Sequence, residues 1–317
     1  MQVKTTTNSV SVTANVKLRR FLKQIWKYKA YYVFLLPAIV YVAIFNYGPL
    51  YGLQIAFKDF NGALGIAGSK WVGFKHFESF FNGYYFWRLI KNTFTISIYF
   101  LAVSFPIPVI LALMLNEIEG RYKKIVQTVL YAPHFISTVV LVGIILTMFS
   151  PSIGVVNTVR EFLGMERLYF ASMPEAFSHL YVWSGVWQTM GWNAVIYIAA
   201  LSGVDPELIE AATIDGASRM QRIIHINIPV IKPVTVILFI MAVGKLASVG
   251  YEKIYLLQND LNVEVSEVIS TYVYKRGLLN AQYSFTSAVD VFNNIVNVVM
   301  LLTANAVSRK FSETSLF

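Results

Sequence analysis

The 317-residue sequence contains no cysteine, which excludes disulfides, thiolate nucleophiles and cysteine-based metal sites. Charge is scarce as well. Only 14% of residues are Asp, Glu, Lys or Arg, against roughly 25% in soluble domains. With 56% hydrophobic residues, a soluble fold would leave apolar surface uncovered. A phosphate-binding GxxxxGK[ST] loop is missing: Gly244-Lys245 lacks the upstream glycine and the following hydroxyl. The chain is therefore not expected to bind or hydrolyse ATP. His76, His134, His179 and His225 are far apart and show no paired ligand spacing, so no metal site is expected. Neither a nucleophile elbow nor a carboxylate pair suggests an enzyme. The first thirty residues are polar and then basic, with no small-residue cleavage site after an early apolar core, unlike a secretory signal.

What is present is long apolar runs. Residues 30–57, 92–116, 125–159 and 176–204 contain no charged residue. Each exceeds the ~20 residues that cross a bilayer as a helix. Two further runs carry one internal charge each: 233–251 around Lys245 and 277–308 around Asp290. The expectation is an all-α polytopic protein with six transmembrane helices. Residues 31–308 would form the membrane domain, between a basic tail (1–30) and a short C-terminal tail (309–317).

Basic residues set the orientation. With the N-terminus inside, fifteen Lys and Arg fall in segments placed in the cytoplasm and ten in those outside, while Lys245 lies within a span. Both tails and residues 202–232 are thus expected on the cytoplasmic side of the membrane, with lipid around the spans. The net charge of +9 flanks spans rather than forming a stripe, so nucleic acid is not an expected partner.

The segment EAATIDGASRMQRIIHINIP (210–229) stands out for its small residues and mixed charge. Asp205-Pro206-Glu207 starts a helix: Asp caps free amides, Pro fits the first helical position, and Glu faces the positive end of the dipole. That helix is predicted over 206–214. Asp215-Gly216 then provides a left-handed turn, and a second short helix is predicted over 217–225, ending before Ile228-Pro229. Taken alone, this pattern also fits an amphipathic loop on lipid headgroups.

The spacing Glu210-Ala211-Ala212, three residues, Gly216, nine residues, Ile226, one residue, Ile228-Pro229 resembles the EAA signature of binding-protein-dependent ATP-binding cassette (ABC) importer permeases. There the penultimate residue is Leu, and here it is Ile228. KWVGFKHFESFF (70–81) and VSEVISTYVYKRGLL (265–279) are similar to the sugar-importing branch, and more narrowly to alginate-type oligosaccharide permeases. The resemblance runs over nearly all of residues 20–310. It implies the type I ABC importer permease fold, an oligosaccharide substrate that includes acidic fragments such as uronate oligomers, and a set of partners. These are a sister permease, two ABC subunits that hold ATP and Mg, and an extracytoplasmic solute-binding protein. It implies further that Glu210 makes a polar contact to the ATPase, that Ala211 and Ala212 fit its cleft, and that Asp215-Gly216 sets the bend. Ile226, Ile228 and Pro229 would anchor the knob to the fifth span. Asp290 stands where the resemblance implies a small residue.

Ionisable groups inside spans usually face a cavity or a partner. Lys245 lies twelve residues after Pro233, about 18 Å along a helix at 1.5 Å per residue. Asp290, Asn294 and Asn297 share a stripe of the sixth span, with Asn293 beside it. Trp183 and Trp187 share a face of the fourth span, near Gln188 and Asn193. Aromatic faces beside amides suit sugars, and a cation at Lys245 suits acidic ones. Alternatives for the same residues are interfacial tryptophans, interhelical asparagine contacts and a Lys245–Asp290 pair. A rival from another class is an ion-gradient-driven secondary transporter using Asp290 and Lys245, although no internal repeat supports one.

Overall fold

The computed structural model of the protein describes residues 23–24, 26–118, 120–311 and 314–317. Most of the predicted basic tail lies outside these. Among the described residues the architecture is helical, with one two-residue antiparallel pairing, β1 (Lys58–Asp59) on β2 (Lys70–Trp71).

The described residues up to 55, with 60–69, form one compact unit, and the described residues of 56–59 and 70–317 the other. α1 (Lys29–Val42) belongs to the first, and the helix runs on through a π-turn and a 3-10 stretch to Phe57, 29 residues in all. In the second, α2 (Lys75–Phe81) precedes α3 (Phe86–Ser104) and α4 (Pro106–Asn116), which together make an apolar helix of 31 residues. The helices that follow are α5 (Gly120–Tyr131), α6 (Thr138–Met148), α7 (Val155–Phe162), α8 (Pro174–Leu201), α9 (Pro206–Ile214), α10 (Arg219–Arg222) and α11 (Ile228–Val243). Beyond these lie α12 (Tyr251–Leu257), α13 (Val263–Ser266), α14 (Ile269–Val273) and α15 (Tyr283–Phe311).

Among the described residues four helices are long and apolar enough to cross a membrane: 29–57, 86–116, 219–243 and 283–310. A fifth is reached if α5 with its 3-10 extension and α6 count as one span, bent by 99°. The expected fourth span is α8, with 28 residues. It does not meet the same apolar test, because Ser184, Gln188, Thr189 and Asn193 dilute its hydropathy. Its position explains this tolerance. It packs against α3, α4, α5 and α11, so protein rather than lipid surrounds much of it.

The bend in the third span has a local cause and a distant clamp. Pro133 lies in a 3-10 turn, Ala132–Phe135, where its missing N–H breaks the α ladder. Gln188 then donates to the Ile136 carbonyl just after the turn at 2.8 Å, and the His134 ring stacks on Trp192 at 4.5 Å. Gly191 lets α8 approach, since a Cβ there would collide with the Leu130 carbonyl.

Two expectations need correcting in the fifth span. The second arm of the knob is not a separate short helix. Ser218 and Gln221 form a capping box that starts α10, and a π-turn at Ile223–Asn227 carries the chain straight into α11. The Ile228 N–H donates to the Ile223 carbonyl, five residues back. This wider turn absorbs Pro229, which an α ladder would not. The span also ends early, at Val243 rather than near Tyr251. A continuing helix would send the Ala247 N–H to Val243, but it donates instead to Asn297 Oδ1 at 3.0 Å. Lys245 consequently sits on the turn leaving the helix, not inside a span.

The core is divided among buried clusters. Ile96, Leu141, Ile145, Phe177, Ile254 and Val268 join α3, α6, α8 and α12 to the segment before α14. Ala112, Ala194, Tyr197, Leu201 and Ile231 join α4, α8 and α11. Buried asparagines organise the loops. Asn157, fully buried, donates to the carbonyls of Phe149, Ser150 and Leu168.

Candidate functional site: a helical knob and a cavity

The knob begins at Asp205, whose carboxylate accepts the Glu207 N–H at 3.0 Å. Pro206 follows in the first turn, and α9 has the bounds that its capping residues predict. Gly216, at φ 79°, turns the chain. No atom stands within 4 Å of where its Cβ would be, so glycine is needed for the backbone conformation and not for space. Arg222 Nη1 donates to Thr213 Oγ1 at 2.8 Å, tying the two arms across the turn. Glu210, Ala211, Asp215 and Gly216 are exposed, and Ala212 is half-buried. Around them Leu208, Ile214, Met220 and Ile224 present apolar side chains to the outside, Ile214 at 86% exposure. Ile226 is half-buried and Ile228 and Pro229 are exposed. Asn227 between them is buried, its Oδ1 unpartnered.

A cavity of about 540 Å³ opens between α3, α4, α8 and the end of α11. Ser97, Phe100, Tyr181, Asn193, Lys245 and Ser248 are among the residues in its wall, and Lys245 is the one charged residue of that lining. Ser97 is buried, and its Oγ has no partner. The volume lies within the range of small-ligand pockets, roughly 300–1,000 Å³.

Of the residues selected from sequence, Asn193 and Lys245 meet at this cavity, while Trp183, Trp187, Gln188, Asp290, Asn293, Asn294 and Asn297 are outside its lining. Trp183 is 52% exposed. Its indole N–H donates to Tyr99 Oη at 3.0 Å, and that hydroxyl in turn meets His179 Nδ1 at 2.8 Å. Trp187 is exposed beside it. Gln188 serves the third-span bend. Asn297 joins helices: besides accepting from Ala247 it donates to Ser248 Oγ at 2.7 Å. Asp290 and Asn294 are exposed on α15, and the Asn293 Oδ1 is buried without a partner. Among the described residues no ion pair joins Lys245 to Asp290, and no group of three His, Asp or Glu could hold a metal.

Sequence reasoning missed Ser97, Tyr181, Trp192 and Lys253. Nothing local marks them. Lys253 meets Tyr181, and Trp192 meets His134, across more than fifty residues.

A profile of the family described as "Binding-protein-dependent transport system inner membrane component" matches residues 104–310, which include the knob, α8, α11 and α15. The chain belongs to this family. It is a multi-pass inner-membrane protein of the ABC transporter permease fold, and the EAA segment with its helical knob is typical of such permeases. It is 40% identical to the polygalacturonan/rhamnogalacturonan transport system permease protein YteP of Bacillus subtilis (strain 168), over 95% of this chain and 94% of that one. It is 38% identical to protein LplB of the same organism, over 90% of each. Among solved structures, it matches a chain of a bacterial ABC transporter involved in the import of the acidic polysaccharide alginate. The TM-score is 0.84 at 41% identity, covering 92% of this permease and 99% of that chain. It also matches a chain of a bacterial alginate ABC transporter in complex with an alginate pentasaccharide-bound periplasmic protein. Here the TM-score is 0.85 at 40% identity, with 94% and 100% covered. None of these relatives is described as an ion-driven carrier.

Proposed function

We propose that this permease is one half of the membrane channel of an ATP-driven oligosaccharide importer and performs no catalysis itself. A sister permease would complete the path. Two ABC subunits would hold ATP and Mg and grip the 205–229 knob in the cytoplasm, where both tails would also lie. An extracytoplasmic solute-binding protein would deliver substrate to the loops at 58–91, 151–178 and 252–282.

The observation that carries this reading is the continuity of the knob with α11. An exposed arm bearing Glu210, Ala211 and Ala212 turns at Gly216 and is strapped through Thr213 to Arg222 of the second arm, which passes without a break into a membrane span. A push on the arm therefore reaches the span and the cavity at its far end. Alternating access follows: ATP binding draws the knobs together and opens the path outward, and hydrolysis releases the sugar inward.

Two features favour acidic oligosaccharides. Lys245 is the charged residue of the cavity lining, and the relatives named above handle polygalacturonan and alginate.

The test is transport by the purified complex in proteoliposomes. Oligogalacturonate should stimulate ATP hydrolysis and accumulate inside. Glu210→Lys should uncouple the two or release the ATPase subunits. Uptake by this chain with no ATPase present would refute the reading.

A further inference from the structure

Lys253 lies on α12, outside the spans, yet its ammonium points inward against α8. Nζ donates to the Tyr181 carbonyl at 2.9 Å and stands over the Tyr181 ring, 4.9 Å from the centroid. Gly185 makes the room. A Cβ there would lie 3.2 Å from Lys253 Nζ and 2.8 Å from the Phe100 ring. Tyr181 and Phe100 both belong to the wall of the cavity, so the ammonium sits directly behind that wall.

Four other cations of the outer loops have carboxylate partners. Arg88 and Lys275 share Glu267, Arg167 pairs with Glu161, and Lys75 pairs with Asp59. Among the described residues no carboxylate pairs with Lys253, and burial pulls its pKa down to about 8. Lys253 is half-buried; a cation withdrawn from water without a counter-ion is unfavourable, and such groups cluster at functional sites. The cavity in front of it contains Lys245, no acidic residue, and the unpartnered hydroxyl of Ser97. Two cations, no anion and one free hydroxyl describe a place that is electrostatically incomplete until a carboxylate enters.

We propose that Lys253 is a specificity-determining residue: from behind the Tyr181–Phe100 wall its charge, with that of Lys245, draws carboxylate-bearing sugar units into the cavity. The inference rests on the importer reading above and adds a residue that touches no substrate. The competing explanation is a strut, in which Lys253 merely fastens α12 to α8 through the Tyr181 carbonyl.

Uptake of trigalacturonate and of its neutral methyl ester by the intact complex separates the two. Lys253→Met should raise KM for the acid on the order of tenfold, the size of a unit-charge interaction across about 10 Å at an effective dielectric near 20. It should leave the ester unchanged, and Lys253→Arg should restore the acid-to-ester ratio. Should the Met variant fail to assemble, Lys253→Gln removes the charge while keeping a donor for the Tyr181 carbonyl, and the same ratio is read. An equal loss for both sugars, or an unaltered ratio, overturns the proposal. If the unmodified complex imports neither sugar, the importer reading falls first and takes this one with it.

Discussion

Asn297 on α15 holds the end of α11 in place: its Oδ1 accepts the Ala247 N–H and its Nδ2 donates to Ser248 Oγ, fifty and forty-nine residues away in sequence. One buried amide thus decides where the fifth span stops and where Lys245 emerges. Replacing it by alanine leaves a buried N–H without an acceptor, a loss of about 1–3 kcal/mol for that group alone. Asn297→Ala should therefore lower the melting temperature of the purified complex and shift Lys245 away from the cavity. Thiol labelling of a cysteine placed at 245 would report the shift.

Gly216 is a different kind of position. Its φ of 79° costs an L-residue about 1–2 kcal/mol, although the space around it is open. Gly216→Ala should thus leave the spans folded and tilt the knob, reducing sugar-stimulated ATP hydrolysis more than protein yield. Gly216→Asn, which tolerates the left-handed region, should be milder. Equal behaviour of the two variants would contradict a conformational role.

The strap between the arms can be cut without touching the turn. Thr213→Val removes the hydroxyl that accepts from Arg222, at a cost of about 0.5–1.5 kcal/mol, and Thr213→Ser retains it. Amide exchange across 206–214 should quicken in the valine variant and not in the serine one.

Gly191 and Gly143 form a paired test of packing. A Cβ at Gly191 would run into the Leu130 backbone, whereas nothing lies within 4 Å of one at Gly143. Gly191→Ala should reduce the yield of folded protein by separating α5 from α8, and Gly143→Ala should be close to neutral.

Burial holds Lys253 at about 8, below the ordinary lysine value of 10.5. Between these values the unfolded chain binds the proton more fully than the folded one, so stability should rise with pH from about 8 to 10.5. Below pH 8 the cost of the half-buried charge is fully present. The melting difference between the unmodified complex and Lys253→Met should change across this window and stay flat beneath it.

Signals confined to a few consecutive residues were legible in the chain. Asp205-Pro206 starting α9, Gly216 turning it and the long uncharged runs all act through neighbours along the backbone or through lipid, which reads composition. The sugar-permease resemblance rested on such spacing, and the family match and solved structures agree with it. Three features were misjudged: the second arm of the knob, the end of the fifth span, and the helical setting of Lys245. Each depends on something a local window does not contain. A π-turn let Pro229 continue a helix, and a distant amide ended one.

Apolar patterning dictated that the polypeptide would be helical and enter a bilayer, because transfer energy depends on residue type and run length. Folding in three dimensions chose which polar side chains became joints and which became a cavity wall. Gln188 went to the Ile136 carbonyl, Asn297 to Ala247 and Lys253 to Tyr181, across 52, 50 and 72 residues. Those partners meet only after the helices have packed, and hydrogen bonds, being short and directional, leave no trace in linear order.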